Sequence, residues 1–137
     1  MGEWQKVIGA ITLFVEDLDR STAFYQDVFE LPVLHKDDDG AMFRFGDTLV
    51  FLTRSSAAGK MIAPATVGDA GAGPRFVFAI IVDDVDAVSA ELDRKGTPRI
   101  NGPADRPWGM RTLNFADPDG NIWEIAQELP EDPAEAG

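Results

Sequence analysis

Few residues of this chain carry side chains that could do nucleophilic or metal chemistry. His35 is the only histidine among 137 residues, and there is no cysteine. A histidine-rich metal site or a Cys–His pair therefore cannot be built within one chain. Ser55 and Ser56 lie in no nucleophile elbow, and the run Asp37-Asp38-Asp39-Gly40 is too short for a calcium loop. We therefore predict that His35 is a surface residue and that Asp37-Asp38-Asp39-Gly40 forms a turn.

The composition excludes two classes of partner. There are 24 acidic and 12 basic residues, a net charge of −12, which repels phosphate backbones and argues against nucleic-acid binding. No apolar run approaches the roughly 20 residues that a membrane span needs, and the first six residues lack the order of a signal peptide. Lack of cysteine is compatible with the cytoplasm, where we expect the protein.

An internal repeat organises the chain. Residues 14–19, FVEDLD, return 67 positions later as residues 81–86, IVDDVD. Each copy is an apolar run, then an acidic cluster, then a helical pattern. A repeat of this length predicts two similar modules. At 137 residues the chain has the size of one ordinary domain, so we predict a single domain over 1–137.

The first module is predicted over about 7–54, in the order βαβββ. Period-two alternation in the first strand, 7–15, places Ala10, Thr12 and Phe14 on one face. A helix follows to about Glu30, with Asp17 or Asp19 as its N-cap. Three short strands complete the module, at 33–36, 41–45 and 48–53.

The second module repeats this order over about 74–127, after a connection at 55–73 rich in Gly, Ala, Pro and Ser. We predict a strand at 75–82, a helix capped by Asp83 or Asp84 and stopped by Gly96, and a short strand at 98–100. Residues 101–107 are predicted as a loop. Strands at 110–115 and 121–127 flank a Pro-Asp-Gly turn. Residues 128–137 are predicted as a solvated acidic tail.

Two stretches resemble the vicinal oxygen chelate superfamily, which includes glyoxalase I, bleomycin resistance proteins and extradiol dioxygenases. Residues 14–25, FVEDLDRSTAFY, resemble its V-x-D-L-x-x-S-x-x-F-Y signature. Residues 106–111, RPWGMR, and 117–121, DPDGN, resemble its W-G-x-R and D-P-D-G-N signatures. The resemblance covers about 7–127. It implies an α+β fold in which two βαβββ modules form curled mixed sheets around a cleft, in a homodimer.

The resemblance also implies where a metal would bind. Metal-using members take four ligands, His, Glu or Gln, from the first and last strands of each module. Here those places fall on Ala10, Phe51, Val77 and Glu124. Alanine, phenylalanine and valine side chains have no lone pairs to donate, and one carboxylate cannot hold a catalytic ion alone. We therefore expect no Fe, Mn, Ni, Zn or Mg cofactor unless the site is rearranged.

Without a metal, the family's cleft becomes an apolar and aromatic ligand site. Glu124 is the one candidate catalytic residue, as a general base, and a candidate contact for a cationic or hydrogen-bonding ligand. It could instead face solvent or pair with Arg44 or Arg111. Trp108 is either a rim residue or a packing residue. The candidate ligand-binding residues are Ala10, Thr12, Phe14, Phe51, Val77, Trp108, Met110 and Glu124.

The sequence therefore favours a metal-free protein that binds a small molecule, resembling bleomycin-resistance members. The alternative is a metal-dependent or Glu124-based lyase, isomerase or dioxygenase of the same superfamily. A third reading is a protein whose cleft is vestigial and whose role lies in assembly.

Overall fold

The computed structural model describes residues 4–69 and 71–130, in two compact units divided after residue 69. The predicted tail therefore lies outside the described residues from position 131 onwards, as do the first three residues of the chain. The first unit contains β1 (Ala10–Val15), α1 (Leu18–Phe29), β2 (His35–Lys36), β3 (Gly40–Phe45), β4 (Thr48–Arg54) and α2 (Ser55–Ile62). The second contains β5 (Val77–Ile81), α3 (Val85–Arg94), β6 (Asn101–Asp105), β7 (Met110–Ala116) and β8 (Ile122–Glu128).

Each unit is built on a four-stranded mixed sheet. The strand order is β1-β4-β3-β2 in the first and β5-β8-β7-β6 in the second, so that corresponding strands take corresponding places. In both sheets the first and last strands are parallel and the other pairs are antiparallel. The predicted α+β class and the two βαβββ modules are confirmed. None of the helices in the described part of the chain has the length and apolar character that crossing a bilayer requires.

Alternation along the strands separates a core face from an open face in the first sheet. Leu13, Val50 and Phe43 are fully buried, and the ring of Phe43 lies 5.8 Å from that of Tyr25 on α1. The intervening residues face the other way and are only partly covered. We call this second surface the first open face; it is formed by Thr12, Phe14, His35, Met42, Phe51 and Thr53.

The second sheet has the same division. Trp123, Ile125 and Phe115 are buried on the side of α3, and the ring of Phe78 lies 5.2 Å from that of Trp123. Apolar burial of this kind contributes on the order of 2 kcal/mol per large side chain and fixes which residues face out. The outward-facing set is the second open face, formed by Val77, Ala79, Ile81, Asn101, Met110, Thr112, Asn114 and Glu124.

Aspartates begin the two main helices, as the acidic clusters predict. The side chain of Asp17 accepts a hydrogen bond from the backbone N–H of Arg20 at 3.1 Å. Asp84 accepts from the N–H of Ala87 at the same distance. Each carboxylate satisfies a donor that the first helical turn leaves unpaired. Asp17 and Asp84 are thus the caps among the alternatives that the sequence left open.

The prediction of a loop over 101–107 is wrong. Residues 101–105 form β6, which pairs antiparallel with β7, and its register shifts between Asn101 and Ala104. The strand was missed because its sequence, NGPAD, has neither β-branched residues nor apolar alternation. The structure also places no strand at the predicted 98–100. Tertiary pairing with β7 outweighs the poor intrinsic preference.

The connection over 55–73 contains a helix that the sequence pattern did not predict. Helix α2 covers Ser55–Ile62. The sequence shows no apolar periodicity here, because Ala58 is the one buried residue of α2 and Gly59 has a low helix propensity. The hydroxyl of Ser55 donates to the backbone carbonyl of Val15 at 3.2 Å, which ties the start of α2 to the end of β1.

We predict that Gly102→Ala lowers the free energy of unfolding by roughly 2 kcal/mol or more. Gly102 has φ +82°, and an added Cβ would meet the carbonyl oxygen of Thr112 and the Cα of Leu113 on β7. Urea denaturation measures the change. Gly9→Ala is the control, because a Cβ at Gly9 meets no atom within 4 Å. Equal stability of both variants would contradict this account of β6.

Candidate functional site

The four places that the family resemblance assigns to metal ligands are equivalent in the two sheets. Ala10 is paired with Leu49, so Phe51 lies two residues further along β4. Val77 is paired with Ile122, so Glu124 lies two residues further along β8. All four residues belong to the outward-facing strand positions. Convergence of the four across one cleft stays a prediction.

These residues do not fit a divalent metal. Ala10, Phe51 and Val77 offer no oxygen, nitrogen or sulfur donor, which leaves the Glu124 carboxylate as the one ligand of the expected set. Over residues 4–69 and 71–130, no group of three His, Cys, Asp or Glu side chains is placed to hold a metal ion. A catalytic metal site needs three protein ligands as a rule, so we derive no metal-dependent step.

The first open face carries an apolar row across its four strands. Thr12, Phe51, Met42 and His35 are successive cross-strand partners on β1, β4, β3 and β2. Directly opposite side chains on neighbouring strands contact each other. The row therefore presents a phenyl ring and a thioether between two polar ends. Among the other predicted residues, Phe14 lies beside Thr53 on this face and Ala10 is exposed at the start of β1.

A hollow of about 180 Å³ opens at the His35 end of this row. Met42 and Phe51 line it, and the turn between β2 and β3 contributes Asp37 and Asp39. Its size suits a fragment of a small organic molecule rather than a whole drug-sized ligand. The sequence predicted His35 as a surface residue, which its exposed ring confirms, but gave no sign that it lines a hollow.

A fixed negative charge stands at the rim of the hollow. Oδ1 of Asp37 accepts the backbone N–H groups of Asp39 and Gly40, each at 2.9 Å. His35 Nε2 lies 3.5 Å from Oδ2. The two backbone hydrogen bonds, helped by His35, lower the pKa of the Asp37 carboxyl. Asp37 therefore stays ionised at neutral pH and favours a cationic or neutral ligand over an anion.

The second open face carries a polar row at the equivalent position. Ala79, Glu124, Asn114 and Asn101 are successive cross-strand partners on β5, β8, β7 and β6. Glu124 and Asn114 are both partly buried. Sequence reasoning missed Asn114 and Asn101, because strand register is not visible in a single sequence. An asparagine within the otherwise β-rich stretch 110–115 was the available signal.

Arg111 is not the partner of Glu124. Its guanidinium lies on the core side of β7 and bridges two other carboxylates, Asp86 on α3 and Asp105 on β6, at 2.9 and 3.0 Å. These hydrogen bonds raise the pKa of Arg111 above its ordinary value and lower that of Asp86. Within the described residues the side chain of Glu124 makes no hydrogen bond or ion pair. The predicted ion pair with Arg111 is therefore wrong, and a pair with Arg44, which belongs to the first unit, stays a prediction.

The remaining predicted residues belong to the second unit. Val77 and Met110 face the same way as Glu124, by strand parity. Trp108 lies in the turn between β6 and β7, where the N–H of Gly109 donates to the carbonyl of Arg106 at 3.1 Å. The indole is 67% exposed. Packing in the core of its module, one of the two alternatives for Trp108, is therefore wrong.

Comparisons with known proteins agree with the fold. The sequence model described as Glyoxalase/Bleomycin resistance protein/Dioxygenase superfamily matches residues 7–125. The uncharacterized protein YraH of Bacillus subtilis (strain 168) is 32% identical over 123 residues, which cover 87% of this chain and 96% of YraH. These matches confirm the resemblance seen in the sequence.

Two of the solved structures that are similar to this chain illustrate the likeness. A glyoxalase/bleomycin resistance protein/dioxygenase from Nocardioides superposes with a TM-score of 0.85 at 20% identity, covering 96% of this chain and 89% of its own. A lactoylglutathione lyase from Agrobacterium tumefaciens superposes with a TM-score of 0.72 at 26% identity, covering 90% and 94%. Both likenesses span nearly the whole of each chain.

We predict that Glu124→Gln leaves the stability of the fold within about 0.5 kcal/mol of the wild type. The physical reason is that the carboxylate has no partner in the described part of the chain, so its charge stabilises no folded contact. Urea denaturation at pH 7 measures this. A loss well above 1 kcal/mol would assign Glu124 a structural role instead.

The Asp86–Arg111 pair predicts a specific pH dependence. The Asp86 pKa is below the ordinary 3.8 when folded, so the pair stabilises the fold above about pH 4 and this contribution is lost as the pH falls through the folded pKa. The urea midpoint of the wild type should therefore exceed that of Asp86→Asn at pH 7, and the gap should close in acid. Asp83→Asn is the neighbouring control, and a gap independent of pH would contradict the assignment.

Proposed function

We propose a function from one premise: the chain belongs to the Glyoxalase/Bleomycin resistance protein/Dioxygenase superfamily. The proposed function is binding of a small organic molecule without a protein-held metal, as in bleomycin-resistance-type proteins. One observation carries it. Three of the four places where the family holds a metal are Ala10, Phe51 and Val77, which have no donor atoms, while the first open face presents the apolar side chains of Phe51 and Met42.

The first open face supports binding of a planar, apolar group. Phe51 and Met42 stand side by side on it, next to a hollow of about 180 Å³. Aromatic rings and thioethers both pack well against a ligand ring. The ionised Asp37 at the rim and the net charge of −12 favour a cationic or neutral compound. We therefore propose a planar aromatic ligand that carries no negative charge.

We propose separately that the second unit offers a ligand a polar contact at Glu124 and an exposed aromatic side chain at Trp108. Specificity in ligand sites comes from a few polar groups placed within apolar surroundings. A carboxylate without a described partner is available to a ligand N–H, because no internal bond must be broken first. We also propose that the protein acts as a homodimer, as the family resemblance implies, and in the cytoplasm, with which its lack of cysteine is compatible.

A second candidate function is a lyase. The similar structure from Agrobacterium tumefaciens is named a lactoylglutathione lyase and is 26% identical to this chain. For this chain, Glu124 would be the base, since it is the carboxylate at the equivalent place. Turnover of lactoylglutathione by the wild type, lost in Glu124→Gln, would favour this candidate over metal-free binding.

The proposed function predicts a defined result in a thermal-shift screen of planar aromatic compounds, both cationic and neutral. We expect at least one compound to raise the melting temperature and to bind about 3- to 10-fold more weakly to Phe51→Leu, since loss of an aromatic contact costs about 0.5–1.5 kcal/mol. Titration calorimetry measures the affinity. Trp4→Leu is the control, because Trp4 lies outside both sheets and is 71% exposed.

Two results would count against this function. A hit whose affinity falls equally in Phe51→Leu and Trp4→Leu does not use the first open face. A screen without any stabilising compound would favour the third reading, in which the protein acts in assembly.

A further inference from the structure

The two open faces carry opposite chemistry at equivalent places. In the first sheet the strands β4, β3 and β2 present Phe51, Met42 and His35 as cross-strand partners. In the second sheet the equivalent strands β8, β7 and β6 present Glu124, Asn114 and Asn101. We call the latter set, Glu124–Asn114–Asn101, the polar row. At the two central places, equivalent strands thus present the apolar Phe51 and Met42 in the first module and the hydrogen-bonding Glu124 and Asn114 in the second.

The polar row has hydrogen-bonding capacity that the described part of the chain does not use. The side chains of Glu124 and Asn114 make no hydrogen bond or ion pair there. Both are partly buried and stand directly opposite each other on β8 and β7. Facing side chains at such positions lie about 5 Å apart. One ligand group can therefore reach both.

Asn101 is oriented by its neighbour. Its Oδ1 accepts a hydrogen bond from Nη2 of Arg106 at 3.0 Å. Arg106 is itself held, since its Nε donates to Oγ1 of the buried Thr112 at 2.9 Å. Because the carbonyl oxygen of Asn101 is engaged, the N–H groups of its amide remain for a ligand. Asn101 therefore enters the row as a donor.

The row consequently has a direction. It begins at the Glu124 carboxylate, which only accepts hydrogen bonds, and ends at the amide N–H groups of Asn101, which donate them. Asn114 in the middle can do both. With strands about 4.8 Å apart, the backbone positions of Glu124 and Asn101 are about 10 Å apart. A complementary ligand has an N–H donor toward Glu124 and a carbonyl acceptor toward Asn101.

We propose that the polar row recognises the amide or lactam edge of a neutral small molecule. The N–H of that edge donates to Glu124, and its carbonyl oxygen accepts from Asn114 or Asn101. The inference rests on the proposed binding function and names the ligand class for it. It also makes Asn114 and Asn101 specificity-determining residues and Arg106 a positioning residue.

The unpaired Glu124 carboxylate should make the site prefer a ligand with an N–H group over an analogue without one. A ligand of the same shape that lacks the N–H covers Glu124 without satisfying it, and sites built to bond a donor reject such analogues. Because the row is only partly buried, water still reaches it and the discrimination is limited to about tenfold rather than the much larger factors of closed sites. An anionic analogue should be rejected more strongly, because it places like charge beside Glu124.

The test uses three matched probes and the full-length chain labelled with ¹⁵N. Benzamide has the N–H and the carbonyl, acetophenone lacks the N–H, and benzoate carries a negative charge. Two-dimensional NMR titration follows the side-chain amide signals of Asn114 and Asn101. We expect benzamide to shift both signals and to bind about tenfold more tightly than acetophenone, with benzoate the weakest.

Variants separate the polar row from general effects. Asn114→Leu and Glu124→Leu should abolish the preference for benzamide over acetophenone, and the dispersion of their spectra shows that each variant is folded. Asp27→Asn changes one charge on the exposed side of α1 and should keep the preference.

Two outcomes overturn the inference. Equal affinity for benzamide and acetophenone, or a preference for benzamide that persists in Asn114→Leu, would contradict amide recognition by the polar row. Neither result would contradict the proposed metal-free binding of planar compounds. Absence of any shift at Asn114 and Asn101 up to the solubility of the probes also rejects the polar row. The proposed function fails separately, in the thermal-shift screen with Phe51→Leu.

Discussion

The parallel pairing of the first and last strands of each module is the constraint on which the rest depends. β1 lies beside β4 and β5 beside β8. Parallel neighbours cannot be joined by a tight turn, so the helix and the two intervening strands must form the crossover. This pairing sets the parity of every outward-facing side chain. A slip of one residue would turn Phe51 and Glu124 into their cores.

The same constraint explains how one scaffold can carry two surfaces. Burial fixes the residues beneath the helices, such as Phe43 and Phe115, which are fully or almost fully buried. The outward positions of Phe51 and Glu124 are only partly covered, so their chemistry can change without disturbing the core. A phenyl ring at Phe51 and a carboxylate at Glu124 therefore occupy equivalent places. Loss of metal-ligand chemistry at three of four places is compatible with an intact fold for this reason.

The fold could be predicted from the sequence because the signals are local and repeated. The acidic clusters gave the caps Asp17 and Asp84, and the alternation in β1 gave its two faces. The parts that could not be predicted depend on contacts distant in sequence. β6 exists because it pairs with β7, and its residues have poor strand preference. Helix α2 buries little more than Ala58, which leaves no apolar periodicity to read.

For the candidate site, too, local patterns could be predicted from the sequence and contacts between distant residues could not. The family resemblance identified Ala10, Phe51, Val77 and Glu124, because these positions lie at fixed spacings from the two signature stretches in the sequence. It could not place Asn114 and Asn101 beside Glu124, since that juxtaposition follows from strand register. The sequence also left Arg111 open as a partner of Glu124. In the structure, alternation along β7 places the Arg111 side chain on the opposite side of the sheet, where it pairs with Asp86.

Equilibrium dialysis of the purified protein against Mn²⁺, Ni²⁺ and Zn²⁺, with elemental analysis of the bound metal, tests the central claim most directly. The account predicts much less than one ion per chain, with no difference between the wild type and Glu124→Ala. About one ion per chain in the wild type, lost in Glu124→Ala, would contradict it. That result would show that other groups complete a metal site around Glu124.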